Sequence, residues 1–559
     1  MILQPIVDLV SLCAKKGIRH AILSPGSRCA PITLAFARHP EIHTKTISDE
    51  RSAAFIALGM AQQLGQPVAL VCTSGSAAYN YAPAVAEAYF QQIPLLILTA
   101  DRPPEWIDQW DGQTIRQTEI YGKHVKGFFQ FPDEFGHADK VWHANRIVNE
   151  AINLAADFPE GPVHINIPLR EPFYPEKEER FDFDKDLQVI NQLKGKPTLS
   201  ADQKKVIEQD LLRFRKILIV PGQQFPDVAL RQILDQIAAN HQAVVVTDSI
   251  SNLQSSHTIC LHDHYIGNSE LRNSLRPDLI ISFGKSIISK GLKLFLRSSE
   301  AAHWHIQPAG YAPDTYQHLE KTISCDALDF LQLIGQTVES NLDFAKHWTS
   351  LEEKVRKHLP ATIYRAEFGE YKALQTALAK IPAASKIHVA NSMAVRYLNF
   401  LGRINPEVYC NRGTSGIDGS SSTAVGCAFV SDGFVTLITG DMAFFYDRNA
   451  YWHSYPIPNL RIILLNNHAG GIFRLIDGPA RQPELEEYFE TKQPLSAKSL
   501  AAEFGFGYHA AADQQSLESG LDNFYEKSER PKILEILSES PKNAEVLKWV
   551  KAQIATVLK

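Results

Sequence analysis

Short runs rich in Val, Ile and Leu, each bounded by turn residues, alternate with segments of helical period along most of the chain. Strands buried on both faces read as continuous apolar runs, and parallel neighbours need helical crossovers, so this alternation predicts an α/β fold of doubly wound parallel sheets. In the first third the runs are His20 to Ser24, Pro67 to Thr73, Pro94 to Ala100 and Pro162 to Ile167. Between the first two, His43 to Ile47 is strand-like. A helix follows from near Asp49, with Ser48 or Asp49 as cap, Ala54, Ala57, Leu58 and Ala61 on one face and Gly65 as its stop. A second set of runs covers Lys216 to Val220, Ala243 to Thr247, Asp278 to Phe283 and His303 to Ile306. A third covers Lys386 to Ala390, Val435 to Thr439 and Leu460 to Leu465, after a helical stripe of Ala373, Leu374, Ala377, Leu378 and Ile381.

Two stretches separate these sets. Pro172 to Asp186 is charged and proline-bearing, and Asp343 to His358 is a polar helical segment ending at Leu359-Pro360. A chain of 559 residues is long enough for about three to four domains, and the two stretches select three: 1–180, 181–358 and 359–559. The outer two share an order of events, with polar and glycine residues directly after strand ends, where ligands bind in open α/β sheets. One fold used twice is the expectation.

Lys and Arg number 56 against 62 Asp and Glu, a formal charge of -6 with pI about 6.4. No broad cationic field exists for nucleic acid or anionic lipid, so any anionic ligand must be met by a few placed cations. The seven cysteines form no Cys-x-x-Cys pair and no cluster with histidine, which predicts a reduced cytoplasmic chain without a zinc or disulfide framework. Met1 to Pro5 lacks a basic region and begins a short amphipathic helix, and no apolar run approaches the roughly 20 residues of a membrane span.

The most specific site signal is Gly440-Asp441 after one buried strand and Asn466-Asn467 after the next, with the second asparagine 26 residues beyond the aspartate. This brings a carboxylate and an amide oxygen to neighbouring strand ends, where they can share a hard cation that bridges a diphosphate; the Ala469 carbonyl could join them. Common turn chemistry is the competing account of these pairs. The spacing resembles that of the thiamine-diphosphate enzymes, whose fingerprint is Gly-Asp-Gly, some two dozen residues, then Asn-Asn; here Met442 stands at the third position. The resemblance implies pyrimidine-binding, middle and diphosphate-binding domains. It also implies a homodimer or dimer of dimers, in which the N-terminal domain of one copy supplies a glutamate to the cofactor held by the other. Glu50, in Ser48-Asp49-Glu50-Arg51, matches that glutamate, which exchanges a proton with the pyrimidine; without the resemblance it reads as an acid at a helix start.

Other stretches are similar to the MenD family, the 2-succinyl-5-enolpyruvyl-6-hydroxy-3-cyclohexene-1-carboxylate synthases of menaquinone or phylloquinone biosynthesis. They are Ser24 to Arg28, Thr99 to Pro104, Gly112 to Gln117, Asn391-Ser392 with Arg396, and Asn411 to Gly419. The likeness implies thiamine diphosphate with Mg2+ or Mn2+, and decarboxylation of 2-oxoglutarate followed by conjugate addition to isochorismate. Both substrates are dianions, and Arg28, Arg102, Arg396 and Arg412 lie at predicted strand ends, where guanidinium forks can grip carboxylates. Ser27, Gln113 and Ser392 match substrate-contacting positions. Asn391, Ser392, Ser415, Gly440, Met442, Ala443 and Gly471 match the cofactor cradle, and Ile472 and Phe473 match apolar walls.

Ile417 matches the wedge beneath the cofactor, with a loop anchor in the core as the plainer account. Lys290, in Ser289-Lys290-Gly291-Leu292-Lys293, matches one of two adjacent basic positions, the other being Gly291 here. Two other readings stand beside this one: a different thiamine-diphosphate 2-oxoacid decarboxylase or carboligase, and a non-catalytic α/β nucleotide-binding protein.

Overall fold

The computed structural model describes residues 3–176 and 179–559. Three parallel sheets are arranged along the chain. The first contains β1 (His20–Leu23), β2 (His43–Thr46), β3 (Val68–Cys72), β4 (Leu95–Asp101), β5 (Phe128–Gln130) and β6 (Val163–Pro168), in the order β2-β1-β3-β4-β6-β5. The second contains β7 (Ile217–Pro221), β8 (Val244–Val245), β9 (Leu279–Phe283), β10 (Ala302–Ile306) and β11 (Leu319–Ile323), in the order β11-β10-β9-β7-β8. The third contains β12 (Lys386–Val389), β13 (Glu407–Tyr409), β14 (Val435–Gly440), β15 (Leu460–Asn466), β16 (Gly507–Ala511) and β17 (Lys532–Leu537), in the order β13-β12-β14-β15-β17-β16. Counted from the first strand of each, the outer sheets have the order 2-1-3-4-6-5, and the middle sheet shares its first four places but has five strands, 2-1-3-4-5.

Every apolar run read as a strand is one. The strands that were not read are mostly at sheet edges, namely β5, β11, β13 and β16, where short, half-exposed segments carry no buried run. The exception, β17, lies inside the third sheet, and its run is interrupted by Glu535. That carboxylate is fully buried and accepts from Asn466 Nδ2, Ser496 Oγ, the Ala497 N–H and Tyr508 Oη.

The helix Glu50–Leu64 is capped by Asp49, which accepts from the Arg51 and Ser52 N–H groups, and ends at Gly65 in the left-handed region (φ 60°). It is buried from Ser52 to Gln62 because it packs on the helix Ser420–Phe429 of the third sheet's layer. A Cβ on Gly59 would stand 2.1 Å from the Thr423 carbonyl oxygen, and one on Gly426 would stand 2.1 Å from that of Ile56. The two helices occupy corresponding places, each following the edge strand of its sheet, so the outer layers meet back to back.

The proline-bearing stretch after β6 packs along the first layer. Phe181 stacks on Phe183 and beneath Arg38, Lys185 pairs with the buried Asp8 at 3.0 Å, and Leu187 enters the core. Lys177 and Glu178 of this stretch, like Met1 and Ile2, lie outside the described residues. The second polar segment differs from expectation. Its helix, Leu342–Arg365, continues through Pro360, because Leu359, Thr362 and Ile363 are buried and hold its last turns in the core. All seven cysteines are free and buried, and no helix among the described residues is long and apolar enough to cross a membrane.

Candidate active site

β14 and β15 are adjacent and parallel, with Gly440 opposite Leu465, so the residues that follow them emerge side by side. Asp441 opens a helix. Its Oδ1 accepts from the Met442 N–H and its Oδ2 from Gln493 Nε2, each at 2.8 Å. It is 2% exposed, and burial pushes its carboxyl up to about 6 although the Gln493 amide and the Met442 and Ala469 N–H groups pull it down. Asn467 donates Nδ2 to Glu370 Oε1 at 2.7 Å, which fixes its amide orientation, and its Oδ1 accepts from the Ala469 N–H at 3.0 Å. Glu370 is buried, and burial pushes it up to about 7, with the Asp441 charge adding to the rise.

These groups form one end of a cavity of about 510 Å3. A buried carboxylate beside an amide oxygen held by Glu370 fits a hard divalent ion whose other ligands would come from a phosphate group and water. Gly440, Met442 and Ala443 form the adjoining wall at the helix start, and Ala469, Gly471, Ile472 and Phe473 form the wall after β15. The Phe473 ring lies 5.9 Å from that of Phe489.

The opposite wall is built from the ends of β12 and β13. Asn391 donates Nδ2 to the carbonyls of Asn411 (2.6 Å) and Gly416 (2.7 Å), and accepts at Oδ1 from Arg412 Nη1 (2.9 Å). Arg396 donates Nη1 to the Ser392 carbonyl at 2.6 Å. Ser392 (φ 71°) and Ser415 (φ 62°) sit in the left-handed region, the kind of local strain that collects at ligand sites. Ile417 is 37% exposed and lines the cavity, so it is not a core anchor. Neither Arg396 nor Arg412 makes an ion pair among the described residues, and Arg412 Nε is buried without a partner. Burial, then the charge of Arg412, lowers the Arg396 guanidinium from its ordinary value.

The cavity does not include the anticipated residues of the first sheet. Glu50 begins the helix after β2, half-buried, and adds to the rise that burial gives the thiols of Cys29, which precedes the helix Ala30–Arg38, and of Cys72 at the end of β3. Ser27 is exposed after β1. Arg28 is 6% exposed; it donates Nη1 to the Leu169 carbonyl at 2.6 Å and lies 4.8 Å over the Phe173 ring. Arg102, after β4, pairs with Asp111 at 3.1 Å and donates Nη2 to the Gly112 carbonyl at 2.6 Å. Gln113 (φ 55°) is exposed on the same loop. Lys290, at the start of the helix Lys290–Arg297, is exposed and also lies outside the cavity.

The thiamine pyrophosphate enzyme N-terminal TPP binding domain family matches residues 7–120, and the middle domain of thiamine pyrophosphate enzymes matches 194–389. A protein of Cytophaga hutchinsonii named 2-succinyl-5-enolpyruvyl-6-hydroxy-3-cyclohexene-1-carboxylate synthase is 47% identical over 99% of both chains. One of the same name from Christiangramia forsetii is 39% identical over 97% of both. The chain belongs to this synthase family. In fold it is also similar to a benzoylformate decarboxylase of Polynucleobacter necessarius, with TM-score 0.72 and 15% identity over 96% of this chain and 99% of that one.

As a member of the synthase family the chain is a thiamine-pyrophosphate-dependent enzyme, and the readings as another 2-oxoacid enzyme or a non-catalytic protein are not favoured. Several of its cavity residues went unread in the sequence. Glu370 reads as an ordinary acid at a helix start, and Phe489 and Thr491, like Gln493 that supports Asp441 from outside the cavity, lie in a stretch without clear periodicity. Lys293, one turn beyond Lys290, is half-buried. Burial lowers its ammonium, and the next contribution comes from Arg412, so it belongs electrostatically to the arginine wall. The retained Lys290 drew attention to that helix, but no pattern in the sequence separates the two lysines.

Proposed function

We propose that the chain decarboxylates 2-oxoglutarate and adds the resulting succinyl unit to isochorismate, giving 2-succinyl-5-enolpyruvyl-6-hydroxy-3-cyclohexene-1-carboxylate and CO2. The observation that carries this reading is the presence, in one cavity, of the Asp441 and Asn467 oxygens and of the two guanidiniums of Arg396 and Arg412, which have no carboxylate partner among the described residues. When bound, thiamine diphosphate supplies a carbon nucleophile for the 2-oxo group and a sink for the electrons left when CO2 departs.

The chain's own residues do the rest. Asp441 and Asn467, with the Ala469 carbonyl as a third candidate, would hold Mg2+ or Mn2+, and Glu370 fixes the Asn467 amide so that its oxygen would be available to the ion. Asn391, Ser392, Ser415, Gly440, Met442, Ala443 and Gly471 shape the cradle, and Ile417, exposed in it, would support the cofactor from below. Arg396 and Arg412 clamp carboxylates by charge-assisted hydrogen bonds, while Ile472 and Phe473 exclude water from the reacting carbon. Glu50 exchanges a proton with a pyrimidine nitrogen.

In this reading Glu50, Ser27, Arg28, Arg102 and Gln113, which stand outside the cavity, are supplied to it by a second copy, as the resemblance implies. The assembly is therefore a homodimer or a dimer of dimers. The domain limits are 1–180, 181–358 and 359–559, with pyrimidine-binding, middle and diphosphate-binding duties. Lys290 contributes charge near the substrate site. The buried, unpaired thiols support a reducing cytoplasmic setting. The decisive test is the mass of the product formed from both substrates with thiamine diphosphate and Mg2+. CO2 release from 2-oxoglutarate that isochorismate stimulates supports the reading, and release from pyruvate instead overturns it.

A further inference from the structure

We propose that Glu87, from the first sheet's layer, is a positioning residue for the Asn411 to Ile417 loop and thereby sets where Arg412, Ser415 and Ile417 stand in the cavity. Glu87 lies on the helix Ala82–Gln91 and is 1% exposed. Its Oε1 accepts from the Gly413 N–H at 2.8 Å and from Gln91 Nε2 at 2.6 Å. Its Oε2 accepts from the Thr414 N–H at 2.6 Å and from Thr414 Oγ1 at 2.5 Å. Four donors thus saturate one carboxylate, and three of them belong to the loop. No cation pairs with it among the described residues, so these donors alone offset the cost of burying the charge.

The loop is also fitted to this helix sterically. A Cβ on Gly413 would stand 2.7 Å from the Glu87 carbonyl oxygen, 3.0 Å from its Oε1 and 3.1 Å from the Gln91 nitrogen, so only glycine lets the backbone approach closely enough to be gripped. One turn on, Gln91 meets the middle layer, because Gln223 donates Nε2 to Gln91 Oε1 at 3.3 Å and to the Cys410 carbonyl at 2.7 Å. Asn391 ties the loop from the cavity side at Asn411 and Gly416. Glu87 is therefore what fixes the stretch between those ties, and Arg412 and the left-handed Ser415 flank the two residues it grips. A burial this polar is a poor way to gain stability, since an apolar pair of the same shape does as well or better; what it provides is a directed geometry.

The test measures thiamine diphosphate affinity by quenching of tryptophan fluorescence at saturating Mg2+, together with steady-state constants, under conditions where far-ultraviolet circular dichroism shows each variant folded. Glu87→Gln keeps the shape but sets amide hydrogens against loop N–H donors. The expected result is a rise of about 10-fold in the cofactor Kd, within the 10- to 100-fold range of supporting residues, with a raised KM for one substrate and not the other. Thr414→Val removes one donor from the loop side without touching the helix, and should raise Kd about 3-fold by the loss of a single charge-assisted bond. The Glu87→Gln/Thr414→Val double variant should fall short of the product of the two effects, as groups acting through one contact do.

Unchanged Kd and KM in Glu87→Gln overturn the proposal; if that variant does not fold, unchanged values in Thr414→Val overturn it. The proposal rests on the thiamine-diphosphate reading of the cavity. A wild-type chain that fails to bind the cofactor with Mg2+ refutes that reading, whereas wild type and variants binding equally refute only the role of Glu87.

Discussion

The first and third sheets have one strand order and both carry polar residues at their C-terminal edges, yet the third closes a cavity of about 510 Å3 there while the first closes one of about 250 Å3 beside Asp101, Arg102, Gln130 and Pro168. After β14 and β15 the third sheet places Asp441 and Asn467; at the corresponding ends of β3 and β4 the first sheet places Gly75 and Arg102. After β13 the third sheet has a tied loop bearing Arg412 and Ile417, whereas after β2 the first has Glu50 at the bare start of a helix. One edge is walled on two sides, and the other is a platform whose Glu50, Ser27 and Gln113 stand outside the walled cavity. The difference shows that a repeated scaffold fixes where functional groups can stand, while loop length and loop anchoring decide whether they become a pocket.

This contrast can be broken most severely by damaging each edge separately. Glu50→Gln and Asp441→Ala should each lower kcat by about 100-fold or more, the first while retaining the cofactor and the second while losing it. If the platform of one copy serves the pocket of another, mixing the two inactive variants and allowing subunits to exchange should restore activity. Mixtures that remain inactive after verified exchange would place both halves of a centre in one copy. Less severe is the loss of a guanidinium from the pocket edge. Arg396→Met or Arg412→Met should reduce kcat/KM by about 10- to 100-fold, as expected for a charge-assisted bond to a carboxylate, with the loss concentrated on one substrate. Arg28→Met on the platform should lower stability as well as kcat/KM, since its donor and its ring contact are internal while the centre also draws on its charge.

The symmetry of the back-to-back helices is sharpened by Gly59→Ala and Gly426→Ala. Each forces a Cβ against the other helix's backbone, and each should cost about 1–3 kcal/mol by overpacking; thermal melts with clearly unequal losses would show that the crossing is not reciprocal. The smallest effect concerns pH. Asp447 accepts from the Ser422 N–H and Oγ on the third layer's helix, and burial pushes its carboxyl up to about 7 from an ordinary 3.8. A raised carboxyl favours its neutral form in the fold, so its contribution is complete below about pH 4 and is lost as pH rises through 7. The wild-type Tm should therefore fall between pH 5.5 and pH 8, and Asp447→Asn should shrink that fall by about 2–4 °C, the shift that roughly 1 kcal/mol makes in a domain of this size.

Much of this was legible in the residues because burial on both faces imposes a pattern. The runs at Val68, Leu95, Val435 and Leu460 needed no partner to be read, and the Asp441 and Asn467 spacing follows from neighbouring strands. What was not legible depends on contacts between distant segments. Glu370 matters because it meets Asn467 across 97 positions, and Glu87 because it meets Thr414 across 327. Neither has a local signature, since an acid at a helix start or within a helix satisfies the rules of secondary structure whether or not it serves a site. Pro360 misled for the opposite reason, as its local meaning of helix termination gave way to the buried turn that follows it.

The seven free thiols also have a practical consequence. Cys13, Cys29 and Cys72 belong to the first layer, Cys260 and Cys325 to the middle one, and Cys410 and Cys427 to the third, all out of contact with solvent. The folded chain should therefore be silent to a thiol-labelling reagent until a layer opens, and the order in which these positions become labelled under mild denaturant records which layer opens first. The molecule thus carries its own reporters of partial unfolding, distributed so that each layer can be timed without introducing a probe.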